Sequence, residues 1–242
     1  MPDAPPAPYR RVVLKISGEG FAPPGQLGID PDELGAIARE IAETAKAGVE
    51  IAVVVGGGNI IRGGALAKQG RVHQSTADYM GMLGTVINGI ALKEALENAG
   101  QPTRLMSAIE IAAVSEVFIR ARALRHFEKG RVLVLAAGTG NPFFTTDTCA
   151  ALRGAELNAE ILLKATKVDG VYSSDPVKDP AATRYDRLTF AEALGKQLGV
   201  MDLTALTMCM ERQLPVIVFD FKKPGNIRRV VSGEQIGTLI TN

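Results

Sequence analysis

The stretch Arg11–Val12–Val13–Leu14–Lys15–Ile16–Ser17–Gly18 decides the reading of this chain. An apolar run rich in β-branched residues ends in a lysine and opens into glycine. Further along, Ile51–Ala52–Val53–Val54–Val55 runs into Gly56–Gly57–Gly58–Asn59 in the same way. Runs that are apolar throughout suit central strands of a parallel sheet, covered on both faces. Glycine-rich turns at their ends lay backbone N–H groups open to an anion. Lys15 adds a fixed positive charge beside them. Together these edges predict a phosphate-handling site. Taken singly, a solvated strand-end lysine and a plain tight turn would account for the same residues.

Working outward, strands are predicted at Arg11–Ile16, Val49–Val55, Pro102–Met106, Arg131–Ala136, Ile161–Lys164, Pro215–Phe219 and Thr238–Ile240. Helices are predicted between them. Pro31–Ala47 follows Asp30, a good N-cap, has proline at its first position and stops at Gly48. Asp78–Ala99 is long and apolar and precedes Gly100. Ser115–Lys129 is basic on its outer face and ends at Gly130. Thr146–Leu157 and Asp202–Arg212 complete the set, with Asp202 as another cap. Alternating β and α units indicate a parallel, helix-covered sheet, whose ligands bind at the carboxyl ends of the strands. Gly81, Gly84 and Gly89 within the long helix allow a close helix contact, either internal or between subunits. The stretch 168–187 reads as a loop, with Asp–Pro at 175–176 and 179–180.

The 242 residues, 46% of them hydrophobic, suffice for one large α/β domain or two fused lobes. No apolar run reaches the length of a membrane span. Met1–Pro8 holds four prolines and no apolar core, so it reads as a disordered tail and not as a signal peptide. Basic and acidic residues balance at 27 against 26, without the excess expected of a nucleic-acid-coating protein. Cys149 and Cys209 lie far apart, outside any CxxC or Cys/His cluster. They predict a reducing, cytoplasmic compartment, no zinc site, and two small apolar fillers on helices. His73 and His126 are isolated and read as surface or core residues.

Neither GxxxxGK[ST] nor a strand-borne GxGxxG occurs, so phosphate is handled by another design. The loop Gly138–Thr139–Gly140–Asn141–Pro142–Phe143–Phe144–Thr145–Thr146–Asp147 follows an apolar strand. Its glycines permit close backbone approach to a ligand. Its threonines and aspartate fall where a helix begins. A plain capped helix start, with Phe143 and Phe144 packed inside, is the other reading. Leu162–Leu163–Lys164 ends a second strand in lysine, and Tyr172 and Asp175 follow with an aromatic face and a carboxylate suited to a purine and a ribose.

These blocks, with Arg62–Gly63 and Lys164–Ala165–Thr166–Lys167–Val168–Asp169–Gly170–Val171, closely resemble the bacterial uridylate kinases of the amino-acid-kinase superfamily. The resemblance runs from Tyr9 to Asn242 with all blocks in order, and includes Val200–Met201–Asp202–Leu203 and Gly237–Thr238–Leu239–Ile240. The loop at 138–147 is its most specific part; the lysine–glycine strand ends are shared with carbamate, aspartate and acetylglutamate kinases.

The resemblance implies a three-layer α/β/α sandwich around a mainly parallel central sheet. It implies one kinase domain over 9–242, with a UMP-binding half at about 9–150 and an ATP-binding half at about 151–242. The implied reaction transfers the γ-phosphoryl of ATP to UMP, with Mg²⁺, in pyrimidine nucleotide biosynthesis. ATP would lie over Lys15, Ile16, Ser17, Gly18, Gly58, Arg62, Thr166, Tyr172 and Asp175. UMP would lie on Gly57, Asp78, Thr139, Gly140, Asn141, Pro142, Phe143, Phe144, Thr145 and Thr146, with Asp78 on the ribose hydroxyls. Lys15 and Lys164 would clamp the transferring phosphoryl, and Asp147 would hold both lysines. Allosteric control, with UTP inhibiting and GTP activating many members, would use Lys93, Arg104 and Arg131. Lys93 stands where relatives often carry arginine, which weakens a planar grip and leaves GTP activation open. A homohexamer is also implied. The competing readings are another superfamily kinase, with carbamate, aspartate or a second nucleotide as acceptor, and a pyrimidine-sensing regulatory protein.

Overall fold

The computed structural model describes residues 9–242 apart from 69, 177 and 180. The proline-rich tail at 1–8 and the proline of the second Asp–Pro pair therefore lie outside the described residues. In chain order the strands are β1 (Arg11–Ile16), β2 (Glu50–Val55), β3 (Thr103–Ser107), β4 (Glu116–Val117), β5 (Val132–Ala136), β6 (Ile161–Thr166), β7 (Val171–Tyr172), β8 (Arg184–Tyr185), β9 (Arg187–Thr189), β10 (Val216–Asp220) and β11 (Thr238–Thr241). The helices are α1 (Pro31–Lys46), α2 (Gly63–Lys68), α3 (Gln74–Asn98), α4 (Arg120–Phe127), α5 (Thr146–Leu157), α6 (Phe190–Gly195), α7 (Leu203–Glu211) and α8 (Asn226–Val231).

Nine strands form one sheet in the order β4-β3-β5-β2-β1-β6-β10-β11-β9, while β7 and β8 make a separate two-stranded ribbon. All pairings in the large sheet are parallel except β10 with β11. Side chains alternate between two cores, as the period of a strand requires. Val12, Leu14 and Ile16 pack with α1, α3 and α8 residues such as Ile41, Leu92 and Ile227. Val13 and Leu162 face the other way, toward Phe127, Ala150, Phe190 and Leu206 of α4, α5, α6 and α7. The result is the expected α/β/α sandwich around a mainly parallel sheet.

The chain leaves β1 toward β2 on one side, whereas β6 continues toward β10 on the other. Neighbouring strands whose connections diverge leave a crevice at their carboxyl ends, the usual ligand site of such sheets. Lys15 and Lys164 lie near the carboxyl ends of the two strands that flank this crevice.

Two expectations need correction. The helix expected over Ser115–Lys129 begins only at Arg120, because Glu116 and Val117 pair with Met106 and Ser107 as the edge strand β4. The stretch 168–187, expected as loop, contains β7 and β8 paired antiparallel and the start of β9. Of the α3 glycines, Gly84 and Gly89 make the internal close contact that was one of their two expected uses, while a Cβ on Gly81 would meet nothing within 4 Å. A Cβ at Gly89 would meet Leu105 at 2.7 Å, and one at Gly84 would meet the Gly57 carbonyl at 3.3 Å. Both cysteines are buried on helices, as expected, and burial pushes their thiols up to about 11 for Cys149 and about 12 for Cys209.

Candidate active site

The two glycine turns lie against each other. A Cβ on Gly18 would come within 2.5 Å of Asn59 Oδ1 and 2.6 Å of the Gly58 nitrogen. A Cβ on Gly56 would come within 2.6 Å of the Gly18 nitrogen. Only glycine permits this approach. Gly57 is equally constrained on its other side, where a Cβ would meet Gly81 O of α3 at 2.7 Å. Gly58 faces open space.

Beside these turns, Lys15 and Lys164 are direct partners in the β1–β6 ladder. Equivalent positions on adjacent parallel strands send side chains to the same face, here the face covered by α5. Asp147, in the first turn of α5, meets both. Its Oδ1 lies 2.9 Å from Lys15 Nζ and its Oδ2 2.7 Å from Lys164 Nζ. Lys164 also donates to the Val200 carbonyl. All three side chains are largely buried, none more than 14% exposed. Burial works against the Asp147 carboxylate, but the two ammonium groups outweigh it and hold its carboxyl below the usual range. Burial lowers the pKa of Lys164, and Asp147 offsets this only in part while the charge of Lys15 adds to it.

On one side of this triangle a cavity of about 160 Å³ is lined by Gly57, Asp78, Thr139, Phe144, Thr145 and Thr146, among others. Asp78 Oδ2 accepts from the Phe143 N–H at 2.8 Å, and its Oδ1 accepts from Gln74 Nε2 at 2.7 Å. The carboxylate thus ties the loop to α3. Phe143 and Phe144 are 71% and 50% exposed, which overturns the reading that packs them inside. Phe143 adopts φ +71°, a strained left-handed conformation for a bulky residue. Thr145 caps α5 by accepting from Asp147 N and Thr148 N, and donates its hydroxyl to Asp202. Thr139 and Asn141 bond to each other within the turn, whose Gly140 takes φ +81°. Pro142 stands between them and Phe143.

On the other side a cavity of about 610 Å³ is lined by Lys164, Thr166, Tyr172, Asp175, Lys196 and Val200, among others. The Tyr172 hydroxyl donates to Asp169 at 2.7 Å, and Thr166 Oγ1 accepts from Val168 N at 3.2 Å. Ile16 is fully buried, so only its backbone can serve a ligand. Ser17 precedes the single helical turn Gly18–Phe21 without capping it through its side chain. Arg62, expected on the phosphates, pairs with Glu19 at the exposed rim.

Lys93, Arg104 and Arg131 converge on one acidic network far along α3 and the β3–β4 edge. Lys93 meets Glu97 at 2.7 Å, and Arg104 reaches Glu97 and Glu116, each at 3.7 Å. Arg131 meets His126 Nδ1 at 3.0 Å, while His126 Nε2 lies 3.1 Å from Glu116. His126 is thus a buried network residue, and His73 caps α3 at the surface.

Sequence reasoning missed several contributors. Asp202 was legible as a helix cap, and it does accept from Ala205 N at 2.9 Å. Nothing local signals that it also accepts from Thr145 and Thr148, joining α7 to the first turn of α5. The Val200 carbonyl that receives Lys164 carries no side-chain signal at all.

A parallel sheet whose switch point carries two buried cations beside amide-lined turns belongs to the class of phosphate-handling α/β proteins. The chain belongs to the amino acid kinase family, whose sequence pattern matches residues 10–220. It is 53% identical over 236 residues to the chloroplastic uridylate kinase PUMPKIN of Arabidopsis thaliana, covering 98% of this chain and 70% of that protein. The crystal structure of UMP kinase from Bacillus anthracis superposes with a TM-score of 0.93 at 38% identity, covering 97% of this chain and 96% of that one. UMP kinase from Ureaplasma parvum gives 0.91, also at 38% identity, over 96% and 99% of the two chains.

Proposed function

We propose that this chain is a UMP kinase, transferring the γ-phosphoryl of ATP to UMP to give UDP and ADP. One observation carries the reading: two register-paired lysines, oriented by one buried carboxylate, sit between two cavities. Similarity to uridylate kinases over nearly the whole chain supports UMP as acceptor.

Two anionic reactants repel, so their approach requires fixed positive charge at the point of transfer. Lys15 and Lys164 supply it, and Asp147 holds both ammonium groups aimed without reorganisation. No general base is needed, since a phosphate oxygen of UMP is already anionic. UMP occupies the cavity between Gly57, Asp78 and the 138–146 loop, which makes about 9–150 the acceptor half. ATP occupies the cavity of Thr166, Tyr172 and Asp175, which makes about 151–242 the donor half. The Ser17–Gly18 and Gly58 amides face the phosphates between them.

Mg²⁺ fits as a passenger of the nucleotide. Among the described residues no group of three or more His, Cys, Asp or Glu side chains could hold a metal, and Asp147 is engaged by two lysines. Mg²⁺ is commonly held mainly by substrate phosphates and water. When bound there it neutralises charge on the donor phosphates.

The Lys93–Arg104–Arg131 network is proposed as the place of nucleotide control, with UTP as inhibitor and GTP as a candidate effector. A homohexamer is proposed from the resemblance to bacterial uridylate kinases, and an exposed apolar stripe along α3, comprising Tyr79, Leu83, Ile87 and Ile90, supports self-association. These recur at helical spacing on the face away from the site. No helix among the described residues is long and apolar enough to cross a membrane. Unpaired, buried cysteines support a reducing compartment such as the cytoplasm. The role in pyrimidine nucleotide biosynthesis follows from the reaction.

An ADP-release assay with UMP, CMP, carbamate and aspartate as acceptors, run with and without GTP, tests the reading. UMP alone should support full turnover; turnover with another acceptor and none with UMP would overturn it.

A further inference from the structure

Asn59 and Asn88 form a closed pair of amides between α3 and the glycine turns. Asn88 Nδ2 donates to Asn59 Oδ1 at 2.6 Å and to the Gly56 carbonyl at 2.7 Å. Asn59 Nδ2 donates to Asn88 Oδ1 at 3.0 Å and to the Gly28 carbonyl at 2.7 Å. The Asn59 carbonyl also accepts from Gly28 N at 2.8 Å. Both side chains are buried, at 1% and 0% exposure, and every amide hydrogen is used. Asn59 Oδ1 is also the atom that a Cβ on Gly18 would strike first. The pair therefore fills the space between α3, the Gly56–Gly58 turn and the Lys15–Gly18 turn.

Apolar side chains could fill such a space without fixing the parts to one another. A fully bonded buried amide pair permits one arrangement and penalises others, because any slip leaves a polar group unpaired in low dielectric. The same helix fixes the acceptor side. Thr85, one turn before Asn88, accepts from Ala137 N at 2.7 Å, at the head of the 138–146 loop. Asp78, further back, holds Phe143 N. One helix thus grips the glycine turn that packs against Gly18 and the 138–146 loop together.

We propose that Asn59 and Asn88 are positioning residues for phosphoryl transfer: their amide pair sets the distance at which the phosphates of donor and acceptor meet. The inference rests on the phosphate reading of the two glycine turns. Displacements of about 1 Å in reacting groups reduce turnover by as much as about 10²-fold while leaving binding pockets intact.

Asn59→Ala, Asn88→Ala and the double variant test it, with kcat and both KM values measured at a temperature where circular dichroism shows each folded. Each single variant should lose kcat by about 10- to 100-fold, with KM for UMP and ATP within about threefold of the parent. The double variant should lose no more than the worse single, since the residues act as one unit. Folded single variants with kcat within about twofold of the parent would overturn the inference. So would losses that multiply in the double variant, a change confined to KM, or failure of both singles to fold at 20 °C, which would make the pair scaffold. Failure of the underlying reading looks different: the parent would not phosphorylate UMP, or Lys15→Ala would remain active.

Discussion

Lys15 and Lys164 stand opposite each other in the β1–β6 ladder, and Asp147 binds one with each of its carboxylate oxygens. Two ammonium groups so close would repel in a buried site without that carboxylate. The arrangement gives a pair of cations fixed in place before substrate arrives. Preorganised charge of this kind acts on the transition state more than on the ground state.

Lys15→Ala should fold and still bind nucleotide, since Lys164 keeps its partner, but should lose about 10²–10³ in kcat. Steady-state kinetics beside a nucleotide titration checks this. Near-parental kcat would remove the clamp role.

Asp147→Asn should be costly to stability. It leaves two buried ammonium groups without their counter-charge, a loss of about 3–5 kcal/mol by the usual cost of breaking a buried pair. Urea unfolding at pH 7 measures it. Adding Lys164→Met should recover part of the loss, because one of the stranded charges goes with it.

The pH dependence follows from the same triangle. Burial, with Lys15 alongside, lowers the Lys164 ammonium, so the alkaline limb of kcat should fall below the ordinary lysine value of about 10.4. Between the lowered folded value and that ordinary value the unfolded chain binds more protons, so the Lys164 contribution to stability rises with pH there. The Asp147 carboxyl lies below its ordinary range. Its contribution is present above about pH 3.9 and is lost as pH falls through the lower folded value. A kcat profile whose alkaline limb sits at or above about 10.4 would contradict the assignment of Lys164.

Asp78→Ala should act on one substrate. The carboxylate holds Phe143 N of the 138–146 loop, and a charged hydrogen bond contributes about 1.5–3 kcal/mol. KM for UMP should rise by roughly 10- to 100-fold on that basis, and KM for ATP by less than about twofold. Equal rises in both would contradict an acceptor role for this residue.

Much of this was legible in the sequence because it is local. β1 matches its predicted bounds, and α5 does too, since unbroken apolar runs and a threonine cap specify them without outside help. The two lysines announced themselves by interrupting apolar runs, Lys15 just ahead of a glycine turn. What was not legible depends on distant partners. Glu116 and Val117 look helical until β3 claims them as an edge. Phe143 and Phe144 look like core, yet the backbone bond to Asp78 turns them outward. The pairing of Arg62 with Glu19 shows only in the fold. Asn88 sits unremarked in an apolar helix, and its meaning lies in Gly56 and Asn59, brought to it by tertiary packing.

A crystal structure of the enzyme soaked with UMP and a non-hydrolysable ATP analogue tests the central claim most directly. The acceptor phosphate and the terminal donor phosphate should both lie within hydrogen-bond reach of the Lys15 and Lys164 ammonium groups, with uracil against the 138–146 loop. UMP bound well away from both lysines would contradict it.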